Sequence, residues 1–244
     1  MKAEIIARLQ REILPLQGFK PAQEPAIDMG WNELNNAFPN ATFPLGAVHE
    51  FLSNTSEQAA ATAGFVSGIT GHLMARGGAC LWLTSSRNVF PPALSNFGID
   101  PHRVIFVHPR NENECHWAME EALKTEGLAA VIASCSNISL TASRRLQLAV
   151  EQSGNTGFLL RHQPAGLNPV ATIARWRISP LATQTDYNLP GVGFPRWNVE
   201  LLKIRNGKPG TWQLEWTATG FRNIPSQPQA ISVQQPWWQQ QKTG

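Results

Sequence analysis

The sequence predicts an α/β fold, with a mostly parallel sheet flanked by helices and a C-terminal antiparallel hairpin extension. Between residues 47 and 162, short runs rich in Val, Ile and Leu alternate with segments of helical period. Strands and helices that alternate in this way are typical of a parallel sheet covered on both faces. After Pro164 the helical period stops, and two alternating segments flank Asn206 and Gly207. An antiparallel extension of the sheet is therefore expected.

Residues 1–40 are predicted to form an amphipathic helix and a linker outside the core. Ile5, Ile6, Leu9 and Ile13 fall on one stripe of a helix at 3–14, and the prolines from Pro15 onward prevent its continuation. The helix can dock on a partner protein or fold back onto its own core, and the pattern alone favours neither.

The core is predicted to span residues 41–224, with each element read from its period and its flanking residues. Strands are expected at 47–52, 78–84, 103–109, 129–134, 157–162 and 171–179, with two more within 196–217. Helices are expected at 57–76, 112–124 and 140–153. Residues 225–244 are rich in Gln and Pro without periodicity, so a mobile tail is predicted there.

Composition restricts the class of protein. Charged residues make up 15% of the chain, against about 25% in typical soluble chains, which favours a surface partly covered by protein contacts. There is no apolar run of membrane-spanning length, and the N-terminus carries charges where a secretory signal would be apolar, so a cytoplasmic protein without membrane contact is expected. Cys80, Cys115 and Cys135 have no C-x-x-C spacing, so reduced thiols are expected rather than disulfides or zinc ligands.

The loop after the first strand is where an open α/β sheet usually binds phosphate. Its residues are Ser53, Asn54, Thr55 and Ser56, followed by Glu57, Gln58, Ala59 and Ala60. A phosphate-binding loop needs glycines, a lysine and a Ser or Thr for Mg²⁺. This loop lacks the glycines and the lysine, and Glu57 would repel a phosphate. Helix capping is the expected role of the hydroxyls, and no cofactor is predicted.

The other strand ends carry hydroxyls where nucleotide hydrolysis needs carboxylates. Thr84 and Ser86 follow one strand, and Ser134 ends another. The histidines, among them His49 and His108, have no recognised ligand spacing, and no G-x-S-x-G motif is present. No catalytic residue and no metal site are therefore predicted.

The late strands are basic and rich in tryptophan. Residues 151–244 hold nine Lys or Arg against four Asp or Glu, although the whole chain has a net charge of only +3. One hypothesis is weak, sequence-independent binding of single-stranded DNA through basic side chains interleaved with tryptophans. The alternative is that the tryptophans alternate into the core while the cations face water. The cations concerned are Arg175, Arg177, Arg196, Lys203 and Arg205, and the tryptophans are Trp176, Trp197, Trp212 and Trp216.

Residues 40–220 resemble the RecA core in the order and spacing of PLGAVHEFL, GGACLWL, FGIDPHRVIFVHP and NVELLKIRNGKPGTWQLEW. The resemblance places the phosphate-loop lysine at Ala59, its glycines at Ser53 and Gln58, and the Mg²⁺ threonine at Ala60. It places the strand-end aspartate at Ser134 and the catalytic glutamate near Ser86. What the resemblance implies is a RecA-like fold with a degenerate nucleotide site, and therefore a protein that is not an enzyme.

Three further segments narrow the resemblance within that superfamily: ISLTASRRLQLAVEQSG, ARWRIS and PGVGFPRWNVELLKIRNGKPGTWQLEW. On these residues the chain is identified as a member of the ImuA family, which is also similar to the SulA cell-division inhibitors. The resemblance implies an accessory role in SOS mutagenesis and translesion synthesis. The implied partners are ImuB, an inactive Y-family-like polymerase, and possibly RecA and an error-prone paralogue of the replicative polymerase α subunit.

Two alternatives to an adaptor remain open. One is an ATP-dependent, DNA-stimulated enzyme with an unconventional nucleotide site, which the loss of the glycines, the lysine and both acids disfavours. The other is a SulA-like division inhibitor, for which no residue of the sequence discriminates.

Overall fold

The computed structural model describes residues 29–86, 89–166, 168–184 and 192–224. The predicted N-terminal helix, the linker up to residue 28 and the predicted tail at 225–244 lie outside these residues. Within them the strands are β1 Val48–Ser53, β2 Ala79–Leu83, β3 Val104–Val107, β4 Leu128–Cys135, β5 Gly157–His162, β6 Ala174–Leu181, β7 Arg196–Ile204, β8 Gly210–Thr217 and β9 Gly220–Ile224. The α-helices are α1 Ser56–Met74, α2 Glu112–Lys124 and α3 Leu140–Ser153, and the 3-10 helices are η1 Asn32–Ala37, η2 Pro91–Phe97 and η3 Pro101–Arg103.

All of these strands belong to one sheet with the order β3-β2-β4-β5-β1-β6-β7-β8-β9. The first six strands in this order, β3, β2, β4, β5, β1 and β6, pair in parallel. The remaining pairs, β6 with β7, β7 with β8 and β8 with β9, are antiparallel. The predicted α/β class, with its parallel sheet and antiparallel extension, is confirmed. The strand β9 was not predicted, because it is short and follows a tight turn at Gly220, whose φ is 114°.

The helix α1 packs on one face of the sheet, which we call the first face. Its Phe65, Val66 and Ile69 are fully buried in one apolar cluster with side chains from β1, β6, β7 and β8. The helix approaches its neighbours closely because it contains glycines. A Cβ at Gly71 would lie 1.9 Å from the carbonyl oxygen of Phe97, which ends η2.

The opposite, second face is covered by α2 and α3, but only over the parallel half of the sheet. Buried residues of both helices, including Met119 and Leu146, form a separate apolar cluster with β1, β2, β4 and β5. Asn111 and Ser139 cap the N-termini of these helices through their side chains. No residue of β6 to β9 belongs to this cluster, so no described helix covers the second face of the antiparallel half.

The predicted linker to residue 40 is wrong for its last part. Residues 29–40 pack on the first face, and the ring of Trp31 is fully buried between Phe65, with ring centroids 5.7 Å apart, and Phe221 at 5.5 Å. The side chain of Asn223 also donates to the carbonyl of Trp31 at 2.9 Å. Proline and glycine spacing suggested a linker, but the apolar residues between them are a sizeable part of the core. The predicted boundary at residue 40 therefore divides a packed unit.

Candidate functional site

The carboxyl ends of the parallel strands form the edge where an α/β sheet binds ligands. At this edge only Asn54 and Thr55 separate β1 from α1, which begins at Ser56. Thr55 caps the helix, its hydroxyl accepting from the backbone N–H of Gln58 at 3.3 Å. The backbone N–H of Ala59 donates to the carbonyl of Thr55 at 3.0 Å, as in any helix. A helical turn therefore stands where a phosphate loop would wrap its anion.

The side chain of Gln58 closes this loop further. Its Oε1 accepts from the backbone N–H of Asn54 at 2.9 Å, and its Nε2 donates to Ser179 Oγ on β6 at 3.2 Å. The Nε2 of Gln163, after β5, donates to the carbonyl of Asn54 at 3.3 Å. Ser53 shares a hydrogen bond with Thr62 of α1 at 3.1 Å. Polar groups that would face a phosphate are thus satisfied by the protein itself.

The residues that replace the phosphate-binding residues offer no positive charge to a phosphate. Ala59 and Ala60 present methyl groups on the first turn of α1. Glu57 is exposed beside them, and hydrogen bonds to Thr55, to its own backbone and to Ser56 lower the pKa of its carboxyl. Glu57 therefore stays ionised at neutral pH and repels anions at this helix end.

The hydroxyl of Thr84, which follows β2, is engaged within its own loop. Thr84 Oγ1 donates to the carbonyl of Ser86 at 3.0 Å, and His108 Nδ1 bonds to the carbonyl of Thr84 at 2.8 Å. Ser134 remains inside β4, where its carbonyl accepts from the thiol of Cys115 at 3.7 Å. The structure brings these positions to one edge of the sheet without aligning them around an open site.

One carboxylate that the sequence reasoning missed lies at this edge. Glu112 Oε1 accepts from the backbone N–H groups of Ser136 and Asn137, at 2.8 and 3.1 Å, and so fixes the loop after β4. A glutamate at the first position of a helix is a capping signal, which is why it attracted no functional interpretation. Its bonds are those of a loop anchor.

His49 and the three cysteines lie buried in the interior of the described chain. His49 lies fully buried against the ring of Phe43, with 4.3 Å between centroids, and burial lowers its pKa to about 4. Burial raises the pKa of Cys80 to about 12 and that of Cys115 to about 11, so both stay protonated. Among the described residues no group of three potential ligands could hold a metal ion.

A buried ion triad was also missed by the sequence reasoning. The carboxylate of Glu50, in the middle of β1, is fully buried and pairs with Arg161 of β5 at 2.6 Å and Arg175 of β6 at 2.5 Å. Arg161 also donates to the carbonyl of Ser136, and Arg175 donates to that of Asn168. A glutamate within an apolar strand is the signal that could have pointed to it, because a buried charge needs partners. The triad anchors the loops after β4 and β5.

The predicted DNA-binding cations and tryptophans separate onto opposite faces of the sheet. Trp176, Trp197 and Trp216 are buried in the first-face cluster, and Trp212 packs partly buried against it. The alternative that placed the tryptophans in the core is therefore correct, and they form no stacking platform. Arg175, Arg177 and Arg196 alternate with buried residues and point to the second face. Lys203 lies at a register shift between β6 and β7, where it is exposed opposite Arg175. Arg205 is exposed just after β7, with its backbone N–H bonded to Ile173.

The predicted docking stripe of Ile5, Ile6, Leu9 and Ile13 lies outside the described residues. Among the described helices, none has the length and apolarity that crossing a bilayer requires.

Comparison with known proteins found relatives that match most of the chain. Two proteins named Protein ImuA, from two strains of Caulobacter vibrioides, are each 36% identical to this chain over 213 residues. The similarity covers 82% of this chain and 87% of each relative. No protein-family model matches the chain.

Proposed function

Since the chain belongs to the ImuA family, we propose that it is a non-enzymatic accessory protein of error-prone translesion synthesis induced by DNA damage. It acts in the cytoplasm during the SOS response, as an adaptor for an ImuB-like inactive Y-family polymerase. RecA and the error-prone polymerase α-subunit paralogue are further partners in this proposal. It binds no nucleotide cofactor, and its contribution to mutagenesis is made through contacts with other macromolecules.

The observation that carries the non-enzymatic part is the closed loop after β1. The loop consists of two residues, its polar groups bond to Gln58 and Gln163, and the first turn of α1 carries an ionised Glu57. Stabilising a transferring phosphoryl group requires cations and preorganised N–H donors. Here the N–H groups of Asn54 and Gln58 already bond within the protein, and the charge on the first turn of α1, that of Glu57, has the wrong sign.

Equilibrium titration with labelled ATP and Mg²⁺ tests this part. We expect no saturable binding up to millimolar ATP, either by the wild-type chain or by Ala59→Lys combined with Ala60→Thr. The double variant restores the side chains of a phosphate loop but not the glycine-rich backbone, because α1 still begins at Ser56. Micromolar binding by the wild-type chain would contradict the proposal and favour the ATP-dependent alternative.

Capture of an ImuB-like partner tests the adaptor part. The sequence predicts that Ile5, Ile6, Leu9 and Ile13 dock on that partner, so Ile6→Asp with Leu9→Asp should abolish capture in a pull-down. The expected loss of apolar contact is about 3–6 kcal/mol, from ~1.5–3 for each large side chain. The melting temperature should stay within a few degrees of the wild type. A collapsed melt would instead place the helix on its own core.

A further inference from the structure

The second face of β6 to β9 carries a surface that no described helix covers. Its outward side chains alternate with the buried residues of each strand and are mainly polar. We call this surface the basic sheet face and define it by five cations, Arg175, Arg177, Arg196, Lys203 and Arg222.

Positive charge exceeds negative charge on the basic sheet face. Glu215 is almost fully buried and pairs with two arginines, Arg196 at 2.7 Å and Arg222. Although burial alone would raise it, the hydrogen bonds from these arginines lower the pKa of Glu215, so this triad keeps one net positive charge at neutral pH. The Glu50 triad likewise has two arginines for one carboxylate. Arg177 has one carboxylate partner, Glu200, at 3.4 Å.

The same ion pairs hold the arginines in place on rigid strands. Arg222 keeps 64% of its side chain exposed and Arg177 keeps 32%, while Lys203 is exposed beside Arg175. Arg196 and Arg222 also line an open pocket of about 510 Å³, beside the turn that joins β8 to β9. A guanidinium that is already oriented loses less side-chain entropy when it binds an anion.

We propose that the basic sheet face binds the phosphodiester backbone of a DNA strand, which rests on the proposed role in translesion synthesis. Cations on alternate residues of a strand, such as Arg175 and Arg177, stand about 7 Å apart, and neighbouring strands are about 5 Å apart. The register of the strands therefore spreads the five cations over about 25 Å across β6, β7 and β9. An arrangement of this kind suits a chain of repeated negative charges.

The chemistry of the surface favours nucleic acid over an acidic protein. The centre of a protein interface is usually apolar and contains exposed aromatic residues. Of the large apolar side chains that are exposed in the described chain, Val192 and Phe194 border this surface just before β7, and none lies on β6 to β9 themselves. Ser179, Asn198 and Gln213 stand between the cations instead. Protein–DNA interfaces are polar and positively charged in the same way. Because the tryptophans are buried, contact should involve phosphates and not stacked bases.

Fluorescence anisotropy with a labelled mixed-sequence oligonucleotide at low salt tests the proposal on the full chain. The test variant combines Arg177→Gln, Lys203→Gln and Arg222→Gln. The matched control combines Arg110→Gln, Lys124→Gln and Arg144→Gln, which removes the same charge from exposed positions on the helical side of the molecule. We expect about ten-fold or more weaker binding by the test variant, and a plot of log Kd against log salt that is shallower by about 2. The control should bind within about two-fold of the wild type.

Other outcomes overturn the proposal in recognisable ways. Equal losses in the test and control variants would show attraction by overall charge only. Binding of a polyglutamate peptide, but not of DNA, would assign the surface to an acidic protein. Loss of binding to an abasic oligonucleotide of the same length would show that the protein contacts bases and not phosphates.

If the triple variant fails to fold, the single change Arg222→Gln should still weaken binding about three-fold. If the wild-type chain binds no DNA but still supports damage-induced mutagenesis, the proposed DNA binding by the basic sheet face is wrong and the accessory role stands.

Discussion

His49 and Glu50 are consecutive residues of β1, and both are fully buried. The histidine avoids the cost of a buried charge by staying neutral, whereas the glutamate is ionised and paired with arginines. His49 points to the first face, where its Nε2 bonds to the carbonyl of Pro44 at 2.8 Å and its Nδ1 accepts from Trp176 Nε1 at 3.4 Å. Both ring nitrogens are satisfied in the neutral form. Glu50 points to the second face, where two guanidinium groups compensate its charge. A buried ion persists only where such partners exist.

The neutral state of His49 makes folding stability depend on pH. Burial lowers its pKa to about 4, below the usual 6.5 that it regains on unfolding. Below pH 6.5 the unfolded chain binds a proton on His49 that the folded chain does not bind. The folded state therefore has its full stability above pH 6.5 and loses stability progressively as the pH falls towards 4. Between pH 7.5 and pH 5 the loss is about 2 kcal/mol.

Urea unfolding of the wild type and of His49→Phe at both pH values measures this contribution. The phenylalanine keeps the stack on Phe43 and has no proton to bind, so its free energy of unfolding should fall by about 2 kcal/mol less over the same range. Other titrating groups, including His116, are present in both proteins and cancel in the difference. Identical pH dependence in the two proteins would show that His49 titrates normally in the folded state.

At the scale of the element, three glycines let α1 approach its neighbours closely, beside the large apolar residues that it buries. Gly64, Gly68 and Gly71 lie on the side of the helix that meets η2 and the antiparallel strands. Cβ atoms there would lie 3.3 Å from Trp197, 2.7 Å from Phe221 and 1.9 Å from the backbone of Phe97, respectively. The helix therefore tolerates the poor helical propensity of glycine in exchange for close packing.

We expect Gly71→Ala to lower the free energy of unfolding by about 3 kcal/mol, because its methyl group would meet a backbone carbonyl that cannot rotate away. For a chain of this size the melting temperature should fall by on the order of 10 °C. Gly64→Ala is the matched control, since its methyl group meets only side-chain rings, those of Trp197 at 3.3 Å and Phe97 at 3.5 Å, and gains about 1 kcal/mol of helical propensity. Equal melting of the two variants would mean that α1 and η2 can move apart freely.

At the scale of the whole molecule, the periodic segments could be predicted and the contacts between distant segments could not. The helices at 112–124 and 140–153 have the predicted bounds, because caps and apolar periods are local signals. The packing of Trp31 on Phe221 joins residues far apart in the chain, and no local sequence pattern around Trp31 predicts it. Prolines and glycines around residue 30 therefore suggested a linker.

At the candidate site, too, local features could be predicted from the sequence and long-range contacts could not. The missing lysine and glycines after β1 are visible in the sequence, because phosphate binding depends on residue type at a fixed spacing. The contact of Gln58 with Ser179, 121 residues away, depends on which strand lies beside β1. The tryptophans of β6 to β8 alternate with cations, and periodicity alone cannot tell which of the two sets faces the core. The uncovered second face became visible only with the positions of α2 and α3.

The meeting of Trp31 with β9 also determines when the first-face core can be completed during synthesis. Trp31 leaves the ribosome early, but Phe221, which packs on its ring, and Asn223, which donates to its carbonyl, follow about 190 residues later. At about 5–20 residues per second, some ten to forty seconds separate these two events. During that interval the aromatic surface of the early segments lacks its last strand and is open to solvent or to a chaperone. Premature termination before residue 220 would leave this surface permanently incomplete, so such fragments should be insoluble rather than partly functional.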